Sequence, residues 1–227
     1  MSPAIEARGL TRTLSDPEPV TLIRDCSLKV DAGEMVAIVG PSGCGKSSLL
    51  YLLGLLDRPT AGELLITGRA TSELTEAERT RTRLEHIGYV FQFHFLLPEL
   101  TARANVALPL ERLGRLSGLD IAGRADELLA KLGLTAAEGG RRPDRMSGGQ
   151  RQRVAIARAL ANDPAIVLGD EPTGNLDSAN TRIVIDEFRR LAHEEGRAVV
   201  CVTHDAQVAA AADRRIHMLD GRIVETG

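Results

Sequence analysis

The chain has 227 residues and a formal net charge of −3, and 43% of its residues are hydrophobic while 26% are charged. This composition excludes a disordered chain and a membrane-embedded one, and the acidic balance disfavours a protein that binds bulk nucleic acid. No apolar run reaches the ~18–20 residues needed to cross a bilayer, so we expect a cytoplasmic chain. Three cysteines, Cys26, Cys44 and Cys201, are too few and too scattered for a disulfide framework or a zinc site.

In chain order, short apolar runs alternate with patterns typical of helices. Continuously apolar runs at 35–39, 87–91, 166–168 and 198–202 predict strands that are buried on both faces of a parallel sheet. Helical patterns follow at 46–56, 121–132 and 150–161, and most of 94–162 has helical periodicity. Further strands are expected at 22–30 and 63–67, and a hairpin around Asp220-Gly221. The sequence therefore predicts a layered α/β domain with a helical insertion at about 94–162.

A glycine-rich loop follows the first apolar run and opens a helix. Residues 40–47 match the pattern G-x-x-x-x-G-K-[ST] in full. Glycines allow the backbone N–H groups to approach phosphate oxygens closely, and the positive end of the helix favours an anion. Lys46 can reach the β- and γ-phosphates, while the Ser47 hydroxyl is a hard oxygen ligand for Mg²⁺. This loop therefore predicts a nucleotide-phosphate site, with a non-binding glycine turn as the weaker alternative.

Two acids, Asp170 and Glu171, end a second apolar run. Ligands of open α/β sheets bind beyond the carboxyl ends of the strands, so these acids are expected to face the phosphates. Asp170 suits the coordination shell of Mg²⁺, and Glu171 could act as the general base that activates water. Alternatively, the pair only caps the turn that follows at 172–174.

Several further motifs carry a resemblance to a family. The segment 146–160, MSGGQRQRVAIARAL, resembles the signature of ABC-transporter ATPases, and 171–177, EPTGNLD, resembles their Walker B exit and D-loop. Gln92 and His204 each end an apolar run, as the Q-loop glutamine and switch histidine of that family do. The resemblance covers essentially the whole chain. Segments 91–101 and 174–177 are most similar to the lipoprotein-releasing and macrolide-exporter branch.

The resemblance implies a P-loop NTPase with a RecA-like parallel sheet, an N-terminal antiparallel β subdomain and a helical subdomain, as one ABC ATP-binding domain over 1–227. It implies Mg²⁺ and ATP as cofactors. The catalytic residues would be Glu171, His204 and Gln92, with Ser47, Gln92 and Asp170 as metal ligands. The residues expected to contact nucleotide are Gly40, Pro41, Ser42, Gly43, Cys44, Gly45, Lys46, Ser47, Ser48, Leu14, Ser147, Gly148, Gly149, Gln150 and Asp177.

Two such ATPase subunits would pack head to tail, so that each ATP lies between one phosphate loop and the partner's signature. Because neither motif is degenerate, a homodimer is favoured. Integral membrane permease subunits are the other implied partners, on the cytoplasmic face of the inner or plasma membrane, with export or lipoprotein release as the process and no role for nucleic acid. The alternatives are an ATPase that drives a mechanical signal across the membrane and a soluble ABC ATPase. The latter is disfavoured because no heptads separate Lys46 from Gly149.

Some residues fit the family less directly. No aromatic residue precedes Tyr51, so Leu14 stands where the family has an aromatic that stacks on adenine, and weak discrimination between purine nucleotides is expected. Phe93 and Phe95 either pack in the core or line a groove for a membrane subunit. Arginines 79, 81 and 83 favour a solvated helix face over a nucleic-acid contact. The remaining histidines, His86, His94, His193 and His217, are interpreted as surface or packing residues.

Overall fold

The computed structural model describes residues 3–15 and 17–227, and within them ten strands form two sheets. The expected domain 1–227 thus has positions 1, 2 and 16 outside the described residues. The strands are β1 (Ile5–Leu14), β2 (Val20–Val30), β3 (Met35–Val39), β4 (Ala61–Ile66), β5 (Arg69–Ala70), β6 (Ile87–Val90), β7 (Ile166–Asp170), β8 (Ala198–Val202), β9 (Arg214–Leu219) and β10 (Arg222–Thr226). The helices are α1 (Lys46–Leu53), α2 (Glu76–His86), α3 (Ala102–Leu113), α4 (Gly118–Lys131), α5 (Ala136–Gly139), α6 (Gly148–Leu160), α7 (Ser178–His193) and α8 (Ala206–Ala211), with a 3-10 turn at Pro143–Arg145.

The larger sheet has the order β10-β9-β3-β8-β7-β6. Strands β9, β3, β8, β7 and β6 pair in parallel, and only the edge strand β10 pairs antiparallel, through the hairpin at Asp220-Gly221. Every residue of β7 and β8 is buried, as continuously apolar runs predict for a sheet covered on both faces. The parallel P-loop core is therefore confirmed.

The smaller sheet, in the order β2-β1-β4-β5, is antiparallel throughout and confirms the N-terminal β subdomain. Helix α1 lies between the two sheets, and its leucines share one core cluster with Leu168 and Val200 of the parallel sheet. Helices α3, α4, α6 and α7 pack in a second cluster that includes Val167 and Val199, from the opposite face of the same strands. The sheet thus separates two apolar layers.

Several predicted element ends were wrong by a few residues. The helix predicted over 46–56 ends at Leu53, because Gly54 caps it and Leu55 has a positive φ of 57°. The strand predicted over 87–91 ends at Val90, whereas the helix predicted from 150 begins at Gly148 since Ser147 caps it. Helices α3 to α6 fall inside 94–162, and the limits of a helical subdomain stay a prediction.

Within residues 3–15 and 17–227, no helix is both long enough and apolar enough to cross a bilayer. The thiols of Cys26, Cys44 and Cys201 are free and buried.

Candidate active site

The phosphate loop, residues 40–48, connects β3 to α1 and includes the first turn of that helix. Gly45 caps α1 with φ of +102°, and a Cβ atom there would lie 2.7 Å from the carbonyl oxygen of Leu22. Both the backbone angle and the close approach therefore require glycine. Because no side chain caps the helix, its first N–H groups are available to bind phosphate oxygens.

Lys46 is buried although it carries a charge. Its Nζ atom donates hydrogen bonds to the carbonyl oxygens of Gly40 and Pro41, each at 2.9 Å. The loop backbone thus wraps around the ammonium group and fixes its position beside the helix N-terminus. This arrangement concentrates positive charge at one place, as the binding of a polyphosphate requires.

Two oxygen ligands for a divalent cation lie next to each other. The Ser47 hydroxyl donates a hydrogen bond of 2.8 Å to Oδ1 of Asp170, at the carboxyl end of β7. Asp170 is only 8% exposed, and burial raises the pKa of its carboxyl group, to which the neighbouring charge of Glu171 adds. Hydroxyl and carboxylate oxygens are the ligands that Mg²⁺ prefers, so the donor set fits this ion.

Mg²⁺ bound with phosphates needs few protein ligands. Among the described residues, no group of three or more His, Cys, Asp or Glu side chains is placed to hold a metal.

Glu171 and His204 come from adjacent strand ends and form a contact. Oε1 of Glu171 lies 3.1 Å from Nδ1 of His204, and the backbone N–H of Glu171 donates to the carbonyl of Val202, which ends β8. Glu171 has φ of +46°, a left-handed conformation that costs roughly 1–3 kcal/mol in a non-glycine residue. That turn brings its carboxylate to the phosphate loop.

A cleft of about 620 Å³ joins these groups. Its walls include Lys46, Ser47 and Glu171, together with Val20 and Arg24 of β2. The volume is suited to a nucleotide. Lys46, Ser47 and Glu171, identified by sequence, therefore meet in one cavity, while Val20 and Arg24 were not identified.

Leu14 occupies the end of β1, about two-fifths exposed and paired in register with Val20. Val20 lines the cleft, whereas Leu14 is not among the residues that form its walls. The sheet register, which the sequence alone did not reveal, thus places an aliphatic pair at this edge of the cleft.

The signature residues lie on a separate face. Ser147 caps α6 and is exposed, and it forms a capping box with Gln150: the Gln150 N–H donates to the Ser147 Oγ atom at 3.2 Å, and the Ser147 N–H donates to the Gln150 Oε1 atom at 2.9 Å. None of residues 147–150 lies among the described residues that line the cleft of the same chain. The structure therefore does not join the signature to the phosphate loop within one chain.

Gly149 lies against a side chain that sequence reasoning missed. A Cβ atom on Gly149 would fall 2.1 Å from Oδ1 of Asn180, in the first turn of α7. The Nδ2 group of Asn180 donates to both carboxylate oxygens of Asp177, the cap of that helix, at 2.9 and 3.0 Å. The signature and the D-loop residue Asp177 are thus in contact through Asn180.

Gln92 follows β6, next to the strand that carries Asp170. Its backbone carbonyl accepts a hydrogen bond of 3.2 Å from Asn175, and its side chain lies over Gly174 in the turn after Glu171. From α6, the buried Gln152 donates to the carbonyl of Pro172 in the same turn at 2.7 Å. The turn that carries Glu171 is therefore held from both the Q-loop and the signature helix.

Comparison with known proteins agrees with this geometry. Residues 23–174 match the family model described as ABC transporter. The chain belongs to the ABC transporter family. It is 47% identical to the lipoprotein-releasing system ATP-binding protein LolD of Bordetella avium, over 97% of this chain and 96% of that protein. It is also 48% identical to the macrolide export ATP-binding/permease protein MacB of Rhodopseudomonas palustris, over 97% of this chain but 33% of that longer protein.

A solved structure extends the comparison to three dimensions. The ATP-binding cassette MJ0796, a dimer in a post-hydrolysis state with ADP and Pi, superposes with a TM-score of 0.92. It is 41% identical, over 98% of this chain and 97% of that one. The chain is therefore an ATP-binding and ATP-hydrolysing subunit of an ABC transporter.

Outside the cleft, the cassette exposes a group of apolar side chains in the segment after Gln92. Phe93 is 65% exposed and Phe95 is 60% exposed, and Leu97 is exposed beside them. The alternative that Phe93 and Phe95 pack in the core is therefore wrong. Tyr89, in contrast, packs against the core of the cassette, with its ring stacked 4.2 Å from Phe91.

The prediction that arginines 79, 81 and 83 lie on a solvated helix face was wrong for two of them. Arg79 is buried, and its guanidinium donates to the carbonyls of Leu55 and Asp57 just after α1. Arg83 donates to the same Leu55 carbonyl, and only Arg81 is exposed. Both inward arginines thus satisfy carbonyl groups beyond the end of the helix that the phosphate loop opens.

The histidines outside the motifs divide between packing and surface. His94 is buried with its Nε2 atom unpartnered, and burial lowers its pKa. His193, at the end of α7, lies 3.0 Å from Asp213.

Proposed function

We propose that two copies of this cassette bind Mg-ATP head to tail, each nucleotide lying between the cleft of one chain and residues 147–150 of the other. The observation that carries the proposal is the separation of the two faces. The cleft has Lys46 and Glu171 but no signature residue, whereas Ser147 presents a hydroxyl and a helix N-terminus outward. Two phosphate-binding helix ends can act on one γ-phosphate only if a second chain supplies one of them.

Within such a site, each residue has a distinct role. The amides of residues 40–48 and the ammonium of Lys46 bind the β- and γ-phosphates. Ser47, Asp170 and Gln92 would hold a magnesium ion, which would neutralise charge on the phosphate oxygens. Glu171 accepts a proton from the attacking water, and His204, held against Glu171, contacts the γ-phosphate.

The remaining contacts concern the base and the partner. Leu14 and Val20, which pair with each other between β1 and β2, contact the adenine. Asp177, with its carboxylate bound by Asn180, carries the signal across the dimer. The signature residues Ser147, Gly148, Gly149 and Gln150 face the γ-phosphate bound by the partner chain.

ATP binding and hydrolysis by this dimer would drive a separate membrane permease from the cytoplasmic face of the inner or plasma membrane. The relatives named for lipoprotein release and macrolide export support a process of that kind, directed outward. Phe93, Phe95 and Leu97 form an exposed apolar patch suited to a helix of the permease. A transmembrane mechanical signal powered by the same cycle is the second candidate, since it would use the same patch.

Mixing two inactive variants tests the head-to-tail arrangement. Lys46→Ala removes the phosphate contact and keeps the signature, whereas Ser147→Arg blocks the signature and keeps the cleft. We expect each variant to lack ATP turnover alone and the mixture to regain part of it, because a mixed dimer has one intact composite site. Turnover that stays absent in the mixture, while each variant stays folded, contradicts this arrangement.

A second experiment tests the permease surface. Phe93→Ser combined with Phe95→Ser is expected to abolish association with permease-containing membranes and to leave ATP turnover in solution intact. Leu119→Ser on α4, which removes another exposed apolar side chain, is the matched control. Undiminished membrane association of the double variant would contradict the assignment.

A further inference from the structure

We infer that Glu138 is a positioning residue of the signature, acting through Gln150 on the Ser147 cap. The inference rests on the proposed head-to-tail site, to which it adds a residue that lies outside every motif. Glu138 is part of the short helix α5, nine residues before Ser147 in the sequence.

The carboxylate of Glu138 has two separate partners. Its Oε2 atom accepts from the backbone N–H and the hydroxyl of Thr135, at 2.7 and 2.8 Å, and so caps α5. Its Oε1 atom accepts from Nε2 of Gln150 at 2.6 Å. The hydrogen bond from the Thr135 backbone is the main reason that the pKa of Glu138 is lowered, so the group is ionised at neutral pH.

This contact decides which way the Gln150 amide points. An amide has one acceptor end and one donor end, and the donor end is bound by Glu138. The acceptor Oε1 must then face the Ser147 N–H, where the 2.9 Å hydrogen bond is found. If the amide turned over, two donors would meet at Ser147 and two acceptors would meet at Glu138.

The backbone N–H of Gln150, rather than its side-chain amide, holds the Ser147 side chain. The Ser147 Oγ atom accepts from the Gln150 N–H, which leaves its hydroxyl hydrogen free to donate outward. Both ends of the Gln150 side-chain amide are therefore engaged within the chain. Gln150 acts on the partner's nucleotide by holding Ser147 in position, and Glu138 stabilises that arrangement.

The test measures ATP-driven dimerisation of the full chain carrying Glu171→Gln, by light scattering over a range of Mg-ATP concentrations. Adding Glu138→Gln leaves one acceptor oxygen at position 138, whereas Thr135 and Gln150 both donate to this side chain. We expect the ATP concentration at half-dimerisation to rise roughly tenfold, as the loss of a charge-assisted hydrogen bond predicts. ATP binding by the dilute monomer should not change, because the cleft lies elsewhere.

Exchanging the two groups separates positioning from a general structural effect. Gln150→Glu alone places two carboxylates together and should weaken dimerisation. Glu138→Gln combined with Gln150→Glu restores the hydrogen bond between the two positions with its direction reversed, since the amide at position 138 then donates to the carboxylate at position 150. Thr135 and the Ser147 N–H still donate to a side-chain oxygen at positions 138 and 150, as before. We expect this double variant to recover most of the lost dimerisation.

Glu78→Gln is the matched control, because Glu78 forms the same type of capping box with Thr75 on α2 and has no contact with the signature. This variant should leave the ATP concentration at half-dimerisation unchanged.

Four outcomes would overturn the inference. Unchanged dimerisation of the Glu138→Gln variant removes Glu138 from this role, and so does a double variant no better than the single ones. Loss of monomer ATP binding would show that the effect is not specific to the signature. If the Glu171→Gln parent itself fails to dimerise, the proposed head-to-tail site fails, and this inference fails with it.

Discussion

The cleft and the signature face differ in how completely one chain builds them. In the cleft, Lys46 and Asp170 are buried, and their partners Gly40, Pro41 and Ser47 belong to the same loop-and-strand unit. At the signature, Ser147 is exposed and its hydrogen bonds serve only the end of its own helix. One face can thus bind phosphate by itself, while the other presents donors that require an acceptor from outside the chain.

The difference also concerns what holds each site rigid. The cleft is built on strands β3, β7 and β8, which the core buries on both faces. The signature is held by the side-chain hydrogen bond from Gln150 to Glu138 and by the close approach of Gly149 to Asn180. Substitutions at the cleft should therefore impair ATP binding or hydrolysis, and substitutions at the signature should impair formation of the dimer.

The largest effect is expected from Lys46→Ala. It deletes the ammonium group that the loop carbonyls position, so ATP binding and turnover should be lost together. Equilibrium ATP binding and phosphate release measure this. Lys131→Ala, which removes an exposed lysine paired with Glu127, is the control and should change neither. Unaltered ATP affinity of the Lys46 variant would contradict its role.

Glu171→Gln should separate binding from hydrolysis at the same cleft. Without a carboxylate to accept the proton, turnover is expected to fall by about 10²–10⁴, while ATP remains bound. Single-turnover kinetics with pre-bound nucleotide measure the chemical step directly. Near-native hydrolysis would exclude Glu171 as the base.

On the signature face, Gly149→Ala and Gly148→Ala form a matched pair. The new methyl group at 149 displaces Asn180 from Asp177, so the hydrogen bonds that Asn180 donates to this carboxylate are lost. At 148 a Cβ atom meets nothing within 4 Å. Thermal unfolding should therefore show a lower Tm for Gly149→Ala only. Equal Tm values for the two variants would contradict the Asn180 contact.

The smallest effect is expected from the residues that contact the nucleotide base. Because Leu14 and Val20 supply only aliphatic contact, the turnover curves for ATP and GTP should be similar. Leu14→Tyr should tighten ATP binding, by at most about 1–3 kcal/mol, the worth of a base–aromatic stack. Leu119→Tyr on α4 controls for an added surface aromatic. Strong ATP selectivity in the unaltered chain would contradict this prediction.

Local motifs were predictable because adjacent residues determine them. The phosphate loop, Asp170 and the continuously apolar strands depend on short segments, and the structure places them as expected. Contacts between distant segments were not predictable. Nothing in the spacing of Asn180 or Glu138 indicates that they meet Gly149 and Gln150, because these contacts form only when the chain folds.

The error at the arginines has a different origin. Arg79 and Arg83 are four residues apart and so share one face of α2, while Arg81 lies on the other. Reading the three as an alternating charged run hid this difference. Applying the helical period to them would have separated the buried arginines from the exposed one.

The most direct test of the account is light scattering on the Glu171→Gln variant with and without Mg-ATP. If each ATP lies between the cleft of one chain and the signature of another, the mass should change from that of one chain to that of two when Mg-ATP is added. The dimer should dissociate when the nucleotide is removed. A variant that binds Mg-ATP with full affinity and still scatters as a single chain would contradict the shared site.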